Sequence, residues 1–337
     1  MNVGNPIKDR IVLITGGTGF IGRMLVNHLT KLDPKEIRLL SNSELEYYQF
    51  EKNINKDKIS YYFGDVRDYE RLKRIVNSCD IVIHAAALKR IDLMEFNVSE
   101  AVKTNIMGTL NVINACIEEN VEKVVLVSTD KACFPLNSYG ATKMLAERLF
   151  IESNFVKGNK RTKFTAVRYG NVLQSTGSVI PFFLDKIKQN SSMPLTDEGM
   201  TRFLISSDRA VQEILFALNV GAGGDIFVPK LNSMKITDLI AVMAKIYKVK
   251  PNIIKVGIRP GEKIHELLVN QYESKNCFEL DESYVITPFA GKYANVIKYE
   301  YLKGKKPVDF KEYSSEKYVI SQKELENILV LGKILNI

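Results

Sequence analysis

The sequence predicts an α/β protein, a doubly wound parallel sheet with a smaller C-terminal substrate lobe. Three observations carry this prediction. Up to Gly170, short β-branched runs alternate with longer segments of helical apolar spacing. The short runs are apolar without interruption, as strands covered on both faces must be. A glycine cluster, Gly16-Gly17-Thr18-Gly19-Phe20-Ile21-Gly22, sits where the first strand gives way to the first helix.

Ile11–Thr15 reads as the first strand and 20–32 as the first helix. Further strands are expected at 37–40, 59–63, 80–84, 123–127 and 163–168, with helices between them that include 102–119 and 139–155. Beyond Gly170 the pattern loosens into loops at 174–178 and 194–201. A helix at 208–218 and a strand at 226–228 return to the sheet. The expected division is a dinucleotide-binding domain over 1–172, joined again by 207–230, and a substrate lobe built from 173–206 and 231–337.

Composition narrows the class. The chain has 337 residues, 45% hydrophobic and 26% charged, a globular balance that excludes disorder and collagen-like repeats as the main organisation. No apolar run approaches the roughly 18 residues that span a bilayer. The first apolar stretch begins at Ile11 and runs into glycines, so it reads as a strand and not as a signal peptide. A cytoplasmic protein is expected, with no membrane partner. The net charge of +8 comes from 47 basic and 39 acidic residues spread along the chain, and it points to no nucleic-acid partner. Cys79, Cys116, Cys133 and Cys277 are too scattered for a zinc site or a disulfide framework, so reduced thiols are expected. Three histidines, none paired at helical spacing, argue against a metal site.

The glycine cluster satisfies G-x-G-x-x-G in a strand–turn–helix context. Gly16, Gly19 and Gly22 allow a tight turn, close approach to a pyrophosphate and helix–sheet contact. Thr18, Phe20 and Ile21 complete the loop at the positive end of the helix. Asp65-Val66 after the third strand is placed to meet an adenine, and Ala85-Ala86 after the fourth lets a cofactor approach the backbone. The second strand ends in Ser41-Asn42-Ser43, where an NAD site usually has an acidic residue and an NADP site a cation. Small hydroxyl and amide donors hydrogen-bond a phosphate, so NADP is the expected cofactor, with NAD the alternative.

A second constellation follows. Tyr139 and Lys143 lie four apart near the start of a helix and share a face. An ammonium beside a phenol favours phenolate, which makes Tyr139 an acid/base group, with the Thr129 hydroxyl at the preceding strand end.

Together, the glycine loop, Ser128-Thr129-Asp130-Lys131-Ala132, Tyr139-Gly140-Ala141-Thr142-Lys143 and Arg168-Tyr169-Gly170-Asn171-Val172 resemble the extended short-chain dehydrogenase/reductase superfamily, whose nucleotide domain is the Rossmann fold. Within it the chain is similar to the inverting UDP-N-acetylglucosamine 4,6-dehydratases of pseudaminic acid and related surface-sugar pathways. His84 to Lys89, Lys103-Thr104-Asn105, Met200 to Phe203 and Ile258 to Lys263 extend the match. The resemblance implies catalytic roles for Thr129, Asp130, Lys131, Tyr139 and Lys143, with Lys131 as base at C5 and Asp130 as acid at C6. Retaining dehydratases carry Asp-Glu where this chain has Asp130-Lys131. A lysine base must be partly neutral, which burial, Lys143 and the cationic nicotinamide are expected to bring about. The resemblance also implies a sugar-nucleotide substrate, UDP-N-acetylglucosamine or a relative, met by Lys89, Thr129, Asn171, Val172, Thr176, Arg202, Arg259 and Glu262. A homo-oligomer, dimer or hexamer, is implied as well. Relatives have Ser-Arg-Asp-Glu where this chain has Ser41-Asn42-Ser43-Glu44, a lysine where it has Glu46, and an arginine where it has Thr176. Two other readings stay open. A 4-epimerase uses Thr-Tyr-Lys without a C5 base, and a dinucleotide-sensing module keeps the glycines but loses the tyrosine and lysine.

Overall fold

A computed structural model describes residues 4–51, 57–175, 177–289 and 297–332. The expected apolar runs all form strands: β1 (Ile11–Thr15), β2 (Glu36–Ser41), β3 (Ile59–Phe63), β4 (Ile81–His84), β5 (Lys123–Val127) and β6 (Lys163–Val167). They lie in the order β3-β2-β1-β4-β5-β6, all parallel, and Ile226–Pro229 adds a further parallel strand beside β6. Two antiparallel strands, Ser283–Ile286 and then Cys277–Glu279, complete a nine-stranded sheet among the described residues. These last two come from the segment expected in the lobe. β1 and β4 have no exposed residue, because helices cover both faces of the sheet. The strand order reverses between β1 and β4, which opens a crevice at their carboxyl ends.

The helices follow the expected spacing, with one departure. The segment expected as a single helix over 102–119 begins as a π-helical turn, Val102–Met107, before the α-helix Gly108–Glu118. The wider turn directs Asn105 inward, where its Oδ1 accepts from Leu88 N at 2.8 Å and its Nδ2 donates to Leu88 O at 2.9 Å and Thr142 Oγ1 at 3.0 Å. A π-turn of this kind often marks a functional site.

A second apolar cluster forms the lobe, where Val179–Lys188, Ile236–Ile246 and Gln322–Leu331 bury Phe183, Leu239, Met243, Leu325 and Leu329. A three-stranded sheet of Asn171–Val172, Thr201–Ile205 and Ser233–Lys235 runs beneath it. None of the described helices is long and apolar enough to cross a membrane.

One arginine joins the two parts. Arg168 follows β6 and is 1% exposed. Its Nε and one terminal nitrogen donate to the Glu147 carboxylate at 3.0 and 2.6 Å, and its terminal nitrogens donate to Glu273 at 2.8 Å each. A further bond reaches Leu268 O at 2.9 Å. Glu147 belongs to the helix Ser138–Val156 and Glu273 to the C-terminal segment. Removing one member of a buried, hydrogen-bonded ion network leaves an uncompensated charge, at a cost of about 3–5 kcal/mol. Arg168→Met strands two carboxylates, so chemical denaturation is expected to show a loss of at least that size. A loss below about 1 kcal/mol would mean that the network does not hold the fold.

Candidate active site

The crevice is lined as the glycine loop requires. Gly16 has φ +68°, and a Cβ there would lie 2.9 Å from Ala86 Cα, so β1 and the turn after β4 touch backbone to backbone. At Gly22 a Cβ would lie 2.4 Å from Gly17 O. The helix Phe20–Leu29 starts at Gly19 with no side-chain cap. Its first N–H groups are thereby left to an anion such as a pyrophosphate. Phe20 and Ile21 pack their side chains on the core. The residues present therefore fit a dinucleotide.

Around the ribose position, Thr18 shares a 2.6 Å hydrogen bond with Ser41 and donates to Glu46 Oε2 at 2.9 Å. Asn42 Nδ2 donates to Asp65 Oδ2 at 2.9 Å, while Val66 is buried behind it against Gly108. Ser43 donates its N–H to Ser41 Oγ at 3.2 Å. Ala85 and Ala86 donate their N–H groups to Thr15 O at 3.2 Å and Thr15 Oγ1 at 3.3 Å. Lys89 lies on the same rim, within electrostatic reach of Glu46.

The second constellation gathers at the end of β5. Thr129 caps the 3₁₀ turn Asp130–Ala132 and donates its hydroxyl to Asp130 Oδ1 at 3.0 Å. The Tyr139 phenol lies beside it. Lys131 Nζ donates to Asp130 Oδ1 at 3.0 Å and to Asn171 Oδ1 at 3.3 Å. Asp130 is fully buried, and its Oδ2 has no partner among the described residues. Asn137 caps the helix Ser138–Val156 and also donates Nδ2 to Gly261 O at 2.8 Å, which brings the 259–263 loop over the site.

The proton states differ from those expected. Lys143 does not lie against Tyr139; its Nζ donates to Val127 O at 2.6 Å. Burial lowers its pKa to about 8, with Glu147 opposing the shift. Burial also raises the Tyr139 phenol to about 12, and the cation that counters this is Lys131. Lys131 was expected to be partly neutral, and the structure corrects this. Burial favours the free amine, but Asp130 and then Glu266 outweigh it and raise the ammonium well above its ordinary value.

Of the remaining residues named for the substrate, Asn171 faces Lys131, and Val172 is buried beside it on the same short strand. Arg202 is 8% exposed, with one terminal nitrogen on Thr201 O at 2.7 Å and Ile264 O at 3.1 Å and its Nε 3.8 Å from Glu266. Arg259 is largely exposed, 3.9 Å from Glu262, whose Oε2 is buried and has no partner among the described residues. Thr176 lies outside the described residues. Glu147, Glu266 and Glu273 were not singled out from the sequence, and Asn105 entered only within the Lys103-Thr104-Asn105 match. Only Glu147 left a usable signal, one turn beyond Lys143 on the same helical face.

The Lys143 shift has a consequence for stability. The unfolded chain holds this proton up to about 10.5 and the folded chain releases it near 8. Between those values the unfolded state binds more protons, so stability rises with pH, by roughly 3 kcal/mol in full. In cofactor-free protein, the melting difference between wild type and Lys143→Met should widen in favour of wild type from pH 8 to 10.5. A difference constant with pH would contradict this placement of the lysine.

Comparison with known proteins supplies the family. Residues 12–288 match the model described as polysaccharide biosynthesis protein. The chain is 42% identical to the UDP-N-acetylglucosamine 4,6-dehydratase (inverting) of Campylobacter jejuni, over 94% of this chain and 96% of that protein. It is 40% identical to the UDP-glucose 4-epimerase of Rickettsia bellii, over 89% of each. The X-ray structure of Pen from Bacillus thuringiensis superposes with a TM-score of 0.89 at 38% identity, covering 98% of this chain and 99% of that one. The expectation of NADP is overturned. DesIV, a dTDP-glucose 4,6-dehydratase from Streptomyces venezuelae with TM-score 0.70 and 22% identity over 75% of this chain and 86% of that one, holds NAD, as do other solved structures of this fold. The physical reason lies at the end of β2. The Ser41 hydroxyl, expected to hold a 2′-phosphate, is bonded to Thr18, which donates to the Glu46 carboxylate, and that carboxylate repels a phosphate and suits a free hydroxyl. The chain belongs to the polysaccharide biosynthesis protein family, among the extended short-chain dehydrogenase/reductases that act on nucleotide sugars.

Proposed function

We propose that the protein binds NAD and catalyses 4,6-dehydration, with inversion at C5, of UDP-N-acetylglucosamine to the 4-keto-6-deoxy-L-arabino sugar nucleotide. The observation that carries this reading is the Asp130–Lys131 pair, hydrogen-bonded at 3.0 Å beside Tyr139, with the carboxylate fully buried and the lysine half-buried. NAD, when bound, supplies the hydride acceptor for C4 and the hydride donor for C6. Tyr139 takes the C4 hydroxyl proton after its own phenol proton has passed to solvent, a loss that the Lys131 charge favours, and Thr129 hydrogen-bonds the C4 oxygen. Lys143 holds the end of β5 through Val127 O and supplies positive charge beneath the site.

The 4-ketone acidifies the C5 hydrogen, so water loss follows oxidation. The Lys131 ammonium must first give up a proton, and Asp130 is within reach of it. One transfer across that hydrogen bond turns the ion pair into a neutral amine and a carboxylic acid, the base and the acid that the elimination needs. The amine takes the C5 proton. The electron pair left on C5 forms the double bond to C6, and the departing hydroxyl takes the Asp130 proton and leaves as water. With hydride returned to C6, the resulting enolate takes a proton from solvent at C5 on the opposite face, while Tyr139 returns the C4 hydroxyl proton to solvent.

A second reading, 4-epimerisation, is supported by the Rickettsia relatives, named as epimerases, and by the strongly held Lys131 ammonium. An epimerase needs no base at C5. Mass spectrometry of a reaction with UDP-N-acetylglucosamine and NAD separates the two, since dehydration removes one water and epimerisation leaves the mass unchanged. Lys131→Ala should lower water loss by about 10²–10⁴-fold, the usual contribution of one acid–base group, with NAD affinity intact. Solvent deuterium should appear at C5 of the wild-type product. Unchanged mass, or water loss unaffected by Lys131→Ala, would reject the dehydratase reading.

A further inference from the structure

Glu266 has no role in the steps above, yet the cations of the site gather around it. It is 3% exposed and directly precedes the strand Leu267–Val269. Its Oε1 lies 3.7 Å from Lys131 Nζ and 3.8 Å from Arg202 Nε, and its Oε2 lies 3.8 Å from Lys263 Nζ. These separations are ion pairs without a direct hydrogen bond. Oε2 is fully buried and has no partner among the described residues. A buried carboxylate oxygen left unpaired costs stability, and a site that keeps one calls for an explanation.

The main chain fixes where the carboxylate sits. Glu266 N donates to Ser315 Oγ at 2.9 Å, and Ser315 N donates to Glu266 O at 2.9 Å. Lys263, the third cation, donates to Cys133 O just beyond the Asp130–Ala132 turn. The lobe thus clamps the turn that bears Lys131 from one side, while Asn171 holds the amine from another. We propose that Glu266 is the positioning residue for Lys131, holding its amine between Asp130 and the sugar carbon it deprotonates. This inference rests on the reading of Lys131 as the C5 base.

The groups that face the Lys131 amine come from each element packed on it: Asp130 from its own turn, the Tyr139 phenol from the helix Ser138–Val156, Asn171 from its short strand, Arg202 from Thr201–Ile205, and Glu266. Lys263 reaches Glu266. Removing the Glu266 charge therefore frees the amine, and removing the Lys263 charge tightens the hold of Glu266 upon it. The two variants should move Lys131 in opposite directions, which a purely structural role would not do.

The experiment is acetylation of cofactor-free protein at pH 8 with a small amine reagent. Lys131 labelling is read by peptide mass spectrometry against the exposed Lys248. Glu266→Gln should raise Lys131 labelling about threefold or more, since a shift of one unit in an amine changes its free fraction about tenfold. Lys263→Met should lower it, and it is the arm that remains if Glu266→Gln does not fold. In NAD-loaded enzyme, Glu266→Gln should slow solvent-deuterium entry at C5 by about 10–10²-fold, as expected for a misplaced group, with little change in KM. Unchanged Lys131 labelling in both variants would overturn the positioning role while leaving the base intact. Water loss that survives Lys131→Ala would instead overturn the base and, with it, the positioning of one.

Discussion

Arg168 is the point through which the sheet, the Tyr139 helix and the lobe are coupled. Its guanidinium satisfies the Glu147 carboxylate, 21 residues before it, and the Leu268 carbonyl and Glu273 carboxylate, 100 and 105 residues after it, all out of water. Lysine could not replace it, because a point charge lacks the planar fork that pairs with two carboxylates at once. Glu147, held by Arg168 on one oxygen pair, also accepts from Ser128 Oγ at 2.6 Å. Ser128 immediately precedes Thr129, so the network that joins the lobe to the sheet also fixes the strand end that carries the reactive turn. Stability and site geometry share the same bonds.

Within the site, burial and charge both act on each proton, and the outcome differs from residue to residue. Burial decides Lys143 and Tyr139, moving the first down to about 8 and the second up to about 12. At Lys131 the carboxylates decide, and the amine stays charged despite its burial. At His84 burial and the nearby Lys143 charge act in the same direction. The imidazole lies between Thr15 and Thr109 with both ring nitrogens hydrogen-bonded, and burial lowers its pKa to about 3. It is therefore a neutral strut between β1 and the helix Gly108–Glu118 and not an acid/base group.

The fold was legible because its signals are local. A strand buried on both faces must be apolar throughout, and a glycine that touches another backbone, as Gly16 touches Ala86, tolerates no side chain. The site was legible as far as motifs reach, which covers Thr129, Asp130, Lys131, Tyr139 and Lys143. Glu266 and Glu273 were not, because an isolated glutamate in a loop looks alike whether it faces solvent or three cations. Their role depends on contacts across more than one hundred residues of chain, as between Lys131 and Glu266. The proton state of Lys131 was missed for the same reason. Composition shows the lysine, but only the fold shows which carboxylates surround it. The Ser41–Glu46 segment was misread because hydroxyls were counted as free donors, whereas Ser41 is bonded to Thr18, which donates to Glu46.

The distinction between dehydration and epimerisation then comes down to one turn of chain. In the proposed reading both reactions begin with oxidation at C4 and share the same roles for Thr129, Tyr139 and Lys143. Once a ketone stands at C4, the C5 hydrogen is acidic in either enzyme, so what decides the product is whether a base and an acid stand beside C5 and C6. Asp130 and Lys131 offer both functions only after a proton has crossed between them. As the resting ion pair they offer neither. Glu266 stabilises the ammonium side of that equilibrium, and Arg202 and Lys263 temper it. Oxidation at C4 leaves the nicotinamide uncharged before the C5 proton is taken, so the cations that favour the reactive form at that step are the chain's own, Arg202 facing the amine and Lys263 drawing on Glu266.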